Sequence, residues 1–544
     1  MRAGDRVLIL SENRPEWGVA DLAIQSIGAW TVPLYPSLSA QDITIICRDC
    51  EPVVCVASSI EHANALLDVC RTLTSIRAIV VLEPMPQPSP QTVAWSAALA
   101  QGRDAESSMG AMLQQRLAQA QPDHTATLIY TSGTTGEPKG VMLSHRNFLS
   151  NVDACLQVVS VTSHDSHLSF LPLCHVFERM AGWYLMLAAG ASVAYAESMD
   201  TIPQNMLETH PTVMLGMPRF FEKLYTRIQD ALQQAAPLKR RFIAWALAVG
   251  RSASALQLAG RPLPTWLTLQ RFIADRLMFA QLRARLGGRL RFFISGSAPL
   301  SKEIGEFFYS VGVTILEGYG LTETSPVIAV NRPGRLRFGS VGELVPGVEV
   351  RIAEDGEVLT RGPHVMQSYY RKPDVTAFAI VEGWFHTGDI GRLEDGFLYI
   401  TDRKKDLIKT SGGKFVAPQK LENLFLADPC ISQAFVYGDK RPYCVALIVP
   451  DASRLRRYAL EQEIPGRSVG ELVRDARIQA FYWGRVQAAQ AALAGFEHVK
   501  KIALLDQEFS QAAGELTPTL KAKRSIIAQR HDALLQSLYQ PSGS

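Results

Sequence analysis

The feature that most constrains the fold of this chain is a series of short, continuous apolar runs separated by helix-like segments. "RVLIL", "VVCVAS", "IRAIVVLE", "ATLIY", "HLSFLPL", "ASVAYA", "TVMLGM" and "LRFFISG" follow one another within the first three quarters of the chain. Runs without polar alternation read as strands buried on both faces, as in a parallel sheet flanked by helices. After the first run a helix pattern spans Pro15 to Trp30, with the proline suited to a helical first turn. Such alternation predicts an α/β architecture of layered sheets and helices.

A chain of 544 residues is too long for one core, so two or more domains are expected. Composition shifts near residue 340, where "SVGELVPGVEVRIAEDGEVLTRG" reads as short strands with turns at Pro346-Gly347 and Asp355-Gly356. Further on, "TDRKKD" is a polar, charged connector. Beyond it, strands such as "QAFVYG" and "CVALIVP" mix with helices, enough for a small α+β domain. The expected division is a large N-terminal domain over 1–401, a hinge over 402–406 and a mobile C-terminal lid over 407–544.

The net charge of +3 predicts no general affinity for nucleic acid. No apolar run reaches the roughly 18 residues of a membrane span. No secretory signal is visible in "MRAGDRVLIL", so a cytoplasmic location with reduced thiols is expected. Cys47, Cys50 and Cys55 form a CxxC-x4-C cluster with His62 nearby. A structural zinc site needs four ligands, and Cys55 lies in a strand-like run, so buried free thiols are the preferred reading.

"TSGTTGEPKG", residues 131–140, follows "TATLIY" with three glycines, four hydroxyl residues and one lysine. Such a loop can turn backbone N–H groups and hydroxyls toward an anion, while Lys139 adds a mobile positive charge. That chemistry suits polyphosphate. The Walker A pattern is not met, because Pro138 precedes Lys139 and Gly140 follows it.

The longer stretch "YTSGTTGEPKGVMLSH" resembles the signature of the adenylate-forming superfamily of acyl-CoA synthetases, luciferases and adenylation domains. "SGSAPLS" (295–301), "EGYGLTET" (317–324), "GWFHTGD" (383–389), "TDRKKDLIKTSGGKFVAP" (401–418) and "GELTPTLKAKR" (514–524) occur in that superfamily's order. The resemblance implies that a carboxylate attacks the α-phosphorus of MgATP, giving an acyl-adenylate and pyrophosphate, after which a thiol displaces AMP. It further implies that Thr131, Ser132, Gly133, Thr134, Thr135 and Lys139 hold the β- and γ-phosphates. Gly296, Ser297, Ala298 and Pro299 would pack beside adenine, with Tyr319 stacked on it next to Gly320.

By the same resemblance Thr322 touches phosphate and Glu323 holds Mg²⁺ through a hard oxygen. Asp389 would accept from both ribose hydroxyls, Arg403 would be a second ribose or phosphate contact, and Lys405 would be the hinge residue. Lys521 would bridge the carboxylate and α-phosphate oxygens, and rotation would later bring Gly412 and Gly413 toward a thiol channel. His175, in "LPLCHVFERM", falls beside the acyl site; that segment and "PTVMLGMPRFFEKLY" resemble the long-chain fatty acid branch. A Cys174–His175 dyad is not expected, since adjacent strand side chains point to opposite faces.

Between Lys239 and Arg291 eleven basic residues stand against one acidic residue, Asp275, interleaved with Trp245, Trp266, Phe272 and Phe279. Such a stretch suits an anionic membrane leaflet, and peripheral contact with the cytoplasmic face is expected. Members of the superfamily carry a further segment ahead of the "GDRV" that nearly opens this chain, so a truncated or late-assigned start is expected. The leading expectation is a long-chain fatty acid–CoA ligase using ATP, Mg²⁺ and CoA. A fatty acyl-AMP/acyl-carrier-protein ligase is the alternative within enzymes, and a non-catalytic acyl- or nucleotide-binding protein the alternative outside them.

Overall fold

The structure, a computed structural model, describes residues 1–87, 89–131, 138–233, 235–466, 468–517 and 521–540. The apolar runs build two large sheets. The first has eight strands in the order Ser368–Tyr369, Lys139–Ser144, Thr125–Thr131, Trp30–Leu34, Arg6–Leu10, Val54–Ala57, Ala78–Val81 and Thr92–Ala94. From Thr125–Thr131 to Thr92–Ala94 every pairing is parallel. Arg6–Leu10 sends Leu8 and Leu10 into one apolar cluster and Val7 and Ile9 into another, the two-residue period of a strand buried on both faces. The helix from Pro15 is shorter than its pattern predicts. It stops at Ser26, Gly28 turns the chain at a φ of 73°, and Trp30 already opens a strand. A left-handed glycine just past a helix end is a common way to stop it.

The second sheet has twelve strands, eleven along one path and Ile380–Val381 paired beside Trp384–Glu394, and it has two characters. Ser192–Tyr195, Ser166–Ser169, Val213–Gly216, Phe292–Ser295 and Ile315–Gly320 are parallel. Val327–Val330, Glu343–Leu344, Phe397–Arg403, Trp384–Glu394, Glu357–Arg361 and Glu349–Ile352 continue it antiparallel, each pairing with the next. The antiparallel half begins shortly before the composition change and takes in the strands beyond it. Gly347 and Gly356, at φ of 79° and 85°, make the predicted turns there.

One apolar cluster joins the sheets, with Ile129, Val141 and Leu143 from the first and Val213, Leu215 and Ile294 from the second. The intervening strand residues Met214 and Phe293 face the opposite way. They pack under helices Pro237–Leu258 and Thr265–Ala274 through Ile243, Ala246 and Leu267.

The smaller C-terminal domain is built on a three-stranded sheet ordered Ile431–Tyr437, Cys444–Pro450 and Val499–Leu504. The central strand is wholly buried, with Cys444, Ala446 and Ile448 in one cluster and Val445, Leu447 and Val449 in another. Helices therefore cover both faces, as the mixed strand and helix pattern predicts.

Three local expectations change or sharpen. "HLSFLPL" is a strand only over Ser166–Ser169, so Cys174 and His175 sit in a turn and not on opposite faces of a strand. No dyad forms even so: Cys174 is buried, its thiol pushed up by burial, and His175 Nδ1 accepts from Phe177 N at 3.2 Å. Cys47, Cys50 and Cys55 are buried and free, and burial raises all three thiols. No group of three or more potential metal ligands stands together among the described residues. Finally, the basic stretch is not a uniformly solvated face. Arg271 donates to the Ser310 carbonyl, Arg283 pairs with Asp275 at 2.7 Å, and Arg291 pairs with the buried Asp165 at 2.7 Å.

Candidate active site

Thr131 and Lys139 pair in register at the end of an antiparallel hairpin. The glycine-rich loop therefore caps a hairpin, whereas a P-loop leads from a strand into a helix. Ser132, Gly133, Thr134 and Thr135 lie outside the described residues. Lys139 places its ammonium 5.5 Å from the centroid of the Tyr369 ring. The Tyr369 hydroxyl in turn donates to Glu323 Oε1 at 2.8 Å. Tyr369 is a site residue that the motifs do not announce. It reaches the cleft because its two-residue strand pairs with Lys139–Ser144 from more than two hundred positions away.

Two tight turns form the floor. Gly296 is buried, and a Cβ there would stand 3.0 Å from the Phe177 ring. Ser297 takes a left-handed φ of 71°, and Leu300 N donates to Glu317 Oε1 at 3.1 Å. That bond ties the 296–300 turn to the neighbouring strand. Burial raises the Glu317 carboxyl to about 7, with the Leu300 N–H pulling it back down. In the second turn a Cβ on Gly320 would meet the Pro326 carbonyl oxygen at 1.6 Å, so only glycine fits. Thr324 Oγ1 accepts from Leu321 N at 2.9 Å and donates to the Pro326 carbonyl at 2.6 Å. These bonds fix the short 3₁₀ turn Thr322–Thr324 at the cleft wall, where Thr322 and Glu323 stand side by side.

On the other wall Asp389 and Arg403 face each other in strand register, with Arg403 Nε 3.5 Å from Asp389 Oδ1. Tyr319 donates its hydroxyl to Asp389 Oδ2 at 2.7 Å. Burial raises the Asp389 carboxyl; Arg403 and the Tyr319 bond oppose that shift. Lys405 lies close enough to feel Arg403, Asp389 and Lys139. Immediately before it, Lys404 is clamped by Asp355 at 2.6 Å and Glu357 at 2.9 Å.

Lys521 comes from the C-terminal domain into the same cleft. Burial, with Arg403 adding repulsion, holds its ammonium down to about 8 against the pull of Asp389 and Glu323. Lys139 and Lys521 thus line one cavity of about 3000 Å³, together with Thr131, Gly296, Ser297, Ala298, Pro299, Tyr319, Gly320, Thr322, Glu323, Asp389, Arg403 and Lys405.

His175 also lines the cavity. Burial, and then Lys521, lowers its ring to about 3, so it is a neutral imidazole at physiological pH. Gly412 and Gly413 are not at the cavity wall. They sit exposed in the turn between Ile408–Lys409 and Phe415–Val416, with Gly413 N bonded to the Thr410 carbonyl at 2.8 Å. The cavity is also lined by Cys155, Val159, Val161, Ala181 and Leu185, members of the apolar cluster that joins the two sheets.

A cleft between a large α/β domain and a small α+β domain, in which Lys139, Arg403, Lys405 and Lys521 gather around Glu323 and Asp389, has the charge and shape that suit a nucleotide-using enzyme. Residues 1–370 match the AMP-binding enzyme family and residues 405–542 match the AMP-binding enzyme C-terminal domain. The chain belongs to the AMP-binding enzyme family. It is 36% identical over 555 aligned residues to "Long-chain-fatty-acid--CoA ligase FadD15" of Mycobacterium bovis, covering 99% of this chain and 88% of that protein. It is 34% identical to "Long chain acyl-CoA synthetase 6, peroxisomal" of Arabidopsis thaliana, covering 99% and 78%. Among solved structures, the adenylation domain of a carboxylate reductase from Mycobacterium chelonae superposes with a TM-score of 0.74 at 25% identity, covering 99% and 81%.

Proposed function

We propose that this chain is a long-chain fatty acid–CoA ligase working in two half-reactions. In the first, a fatty acid carboxylate oxygen bonds to the α-phosphorus of ATP as the bond to the β-phosphate oxygen breaks, releasing pyrophosphate. In the second, the CoA sulfur bonds to the acyl carbon and AMP leaves. The observation that carries this reading is one cavity lined both by Lys139, Arg403, Lys405 and Lys521 and by the buried apolar side chains Cys155, Val159, Val161, Ala181 and Leu185, which we take as an arm for the acyl chain. The named relatives support the same substrate class.

Both reactants of the first step are anions, so neutralisation is the main task. Lys139 holds the outer phosphates from the hairpin. Asp389 accepts from the ribose hydroxyls, with Arg403 beside it. Tyr319 and the 296–299 turn flank the base, and the turn keeps its shape through Glu317. Lys521 meets the charge that builds on the carboxylate and α-phosphate oxygens. A neutral His175 shapes the mouth of the acyl arm and adds no charge to it.

Glu323 and Thr322 offer hard oxygens, and Glu323 has one oxygen committed to Tyr369. That donor set fits a Mg²⁺ held by one carboxylate and nucleotide oxygens, not a cage made of protein alone. Bound there, the ion would supply charge neutralisation on the phosphates. The linker 402–406 is the pivot on which the C-terminal domain turns between half-reactions, carrying Lys521 away and Gly412 and Gly413 in.

Peripheral contact with an anionic membrane belongs to the same reading. Trp266, Leu269 and Phe272 are 61%, 61% and 62% exposed on Thr265–Ala274, with Ile273 and Leu277 also exposed. Arg261 just before that helix and Arg276 just after it are exposed, as are Lys239, Arg240 and Arg241 at the start of Pro237–Leu258. An apolar ridge flanked by cations suits a surface of anionic lipid. No helix among the described residues is long and apolar enough to cross a membrane.

Incubating the protein with MgATP and palmitate, then adding CoA or a holo carrier protein, tests the reading. Palmitoyl-CoA with stoichiometric AMP is expected; adenylate that accumulates and yields thioester only on the carrier protein would overturn the choice of acceptor.

A further inference from the structure

Helix Pro218–Gln233 starts at the cavity and runs out beneath the C-terminal domain. Arg219 near its first turn lines the cavity and places Nη2 3.6 Å from Glu508 Oε2. Ser432 holds the other oxygen of Glu508. Three turns further along the helix, Asp230 meets the guanidinium of Arg454. Among the described residues these are the two ion pairs that join residues 1–401 to the chain beyond the linker.

They differ in character. Glu508 is half-exposed, so its pair with Arg219 is weak in water. Arg454 is only 6% exposed, and its buried Nε finds no partner. Asp230 therefore supplies the compensation for a nearly buried charge. Removing one partner of such a pair costs much more than the pair itself contributes, because the other charge is left stranded. The penalty exists only while the C-terminal domain sits against this helix. Once the domain turns away, water solvates both groups. The same docked arrangement is the one that delivers Lys521 to Asp389, Arg403 and Glu323.

We propose that Asp230–Arg454, seconded by Arg219–Glu508, is a latch that holds the C-terminal domain in the adenylating arrangement. Asp230 and Arg454 are positioning residues that act through Lys521, and the inference rests on the two-step reading above. The latch weights the two half-reactions against each other. Weakening it slows the step that needs Lys521 in place and leaves the step that follows rotation intact.

The test compares palmitate-dependent ATP–pyrophosphate exchange with single-turnover transfer from synthetic palmitoyl-adenylate to CoA. For Asp230→Asn and Arg454→Gln, exchange should fall about tenfold, the size of effect that losing a single well-placed interaction produces, while transfer from the adenylate holds or quickens. The reversed double variant, Asp230→Arg with Arg454→Asp, should regain most of the exchange, which a merely structural role would not predict. Unchanged exchange, equal loss in both half-reactions, or no recovery in a reversed variant of normal melting temperature would each overturn the latch. Small-angle scattering of the substrate-free protein separates this from the substrate assignment. Asp230→Asn should enlarge the particle even if palmitate proves not to be a substrate, and an unaltered scattering profile would refute the latch by itself.

Discussion

Replacing Lys521 with alanine removes a cation that feels Asp389 and Glu323, while both carboxylates remain in the cleft. At an effective dielectric of about 20, a charge contact near 4 Å amounts to ~4 kcal/mol. Arg403 and Lys405 stay behind and recover part of it, which leaves a loss of roughly 3–4 kcal/mol, or 10²–10³ in the adenylation rate. Thiolysis of a supplied acyl-adenylate should change by less than about tenfold, since the pyrophosphate-releasing step is already complete.

The same lysine sets a pH signature. Its ammonium is held down to about 8, and in the role proposed for it the charged form is the working one. Adenylation kcat/KM is therefore full below that value and falls about tenfold per pH unit above it. Lys521→Arg, whose guanidinium stays charged, should move that limb beyond the measurable range whatever its absolute rate. Pyrophosphate release measured from pH 6 to 10 on wild type and both variants decides the matter. An alanine variant that adenylates within about threefold of wild type, or a flat profile across pH 8, would refute the reasoning.

Asp389→Asn keeps the shape of the ribose wall but removes the charge that Tyr319 and Arg403 face; AMP affinity by calorimetry should fall roughly 10- to 100-fold, as for lost charged hydrogen bonds. Ala181→Phe fills the apolar arm, so palmitate activity should collapse while octanoate is still accepted, read from kcat/KM across a chain-length series. Trp266→Ser combined with Phe272→Ser removes two exposed aromatics, worth roughly 1.5–3 kcal/mol each if buried in lipid, and should cut sedimentation with phosphatidylglycerol vesicles at least tenfold. Binding that persists unchanged in that double variant would rule out the ridge as the lipid contact.

The strands were legible because parallel strands buried on both faces leave no choice of residue type, so "RVLIL" and "LRFFISG" declare themselves. The positions lining the cleft were legible through the resemblance to the adenylate-forming superfamily, whose motifs fall on strand ends and turns around one cavity. What escaped depends on partners distant in sequence. Tyr369 touches Glu323 only because a two-residue strand pairs across the first sheet, and Glu317 supports the 296–300 turn from an adjacent strand. The inward turn of Arg271, Arg283 and Arg291 was hidden for the same reason: a count of basic residues carries no information about which ones meet a carbonyl or a carboxylate. The turn at Cys174 and His175 defeated a strand argument because "FLPLC" is apolar enough for a strand, while its proline cannot donate to a ladder.

Arg403 ends the strand that pairs with Asp389, and the very next residue, Lys404, is pinned by Asp355 and Glu357. On the proposed two-step reading the swivel lies just past Lys404, at the short end of a lever whose long end bears Lys521. On that reading a small twist between Lys404 and Asp406 becomes a wide arc at the far end, and the residues proposed to hold the sugar share one stretch of chain with the pivot.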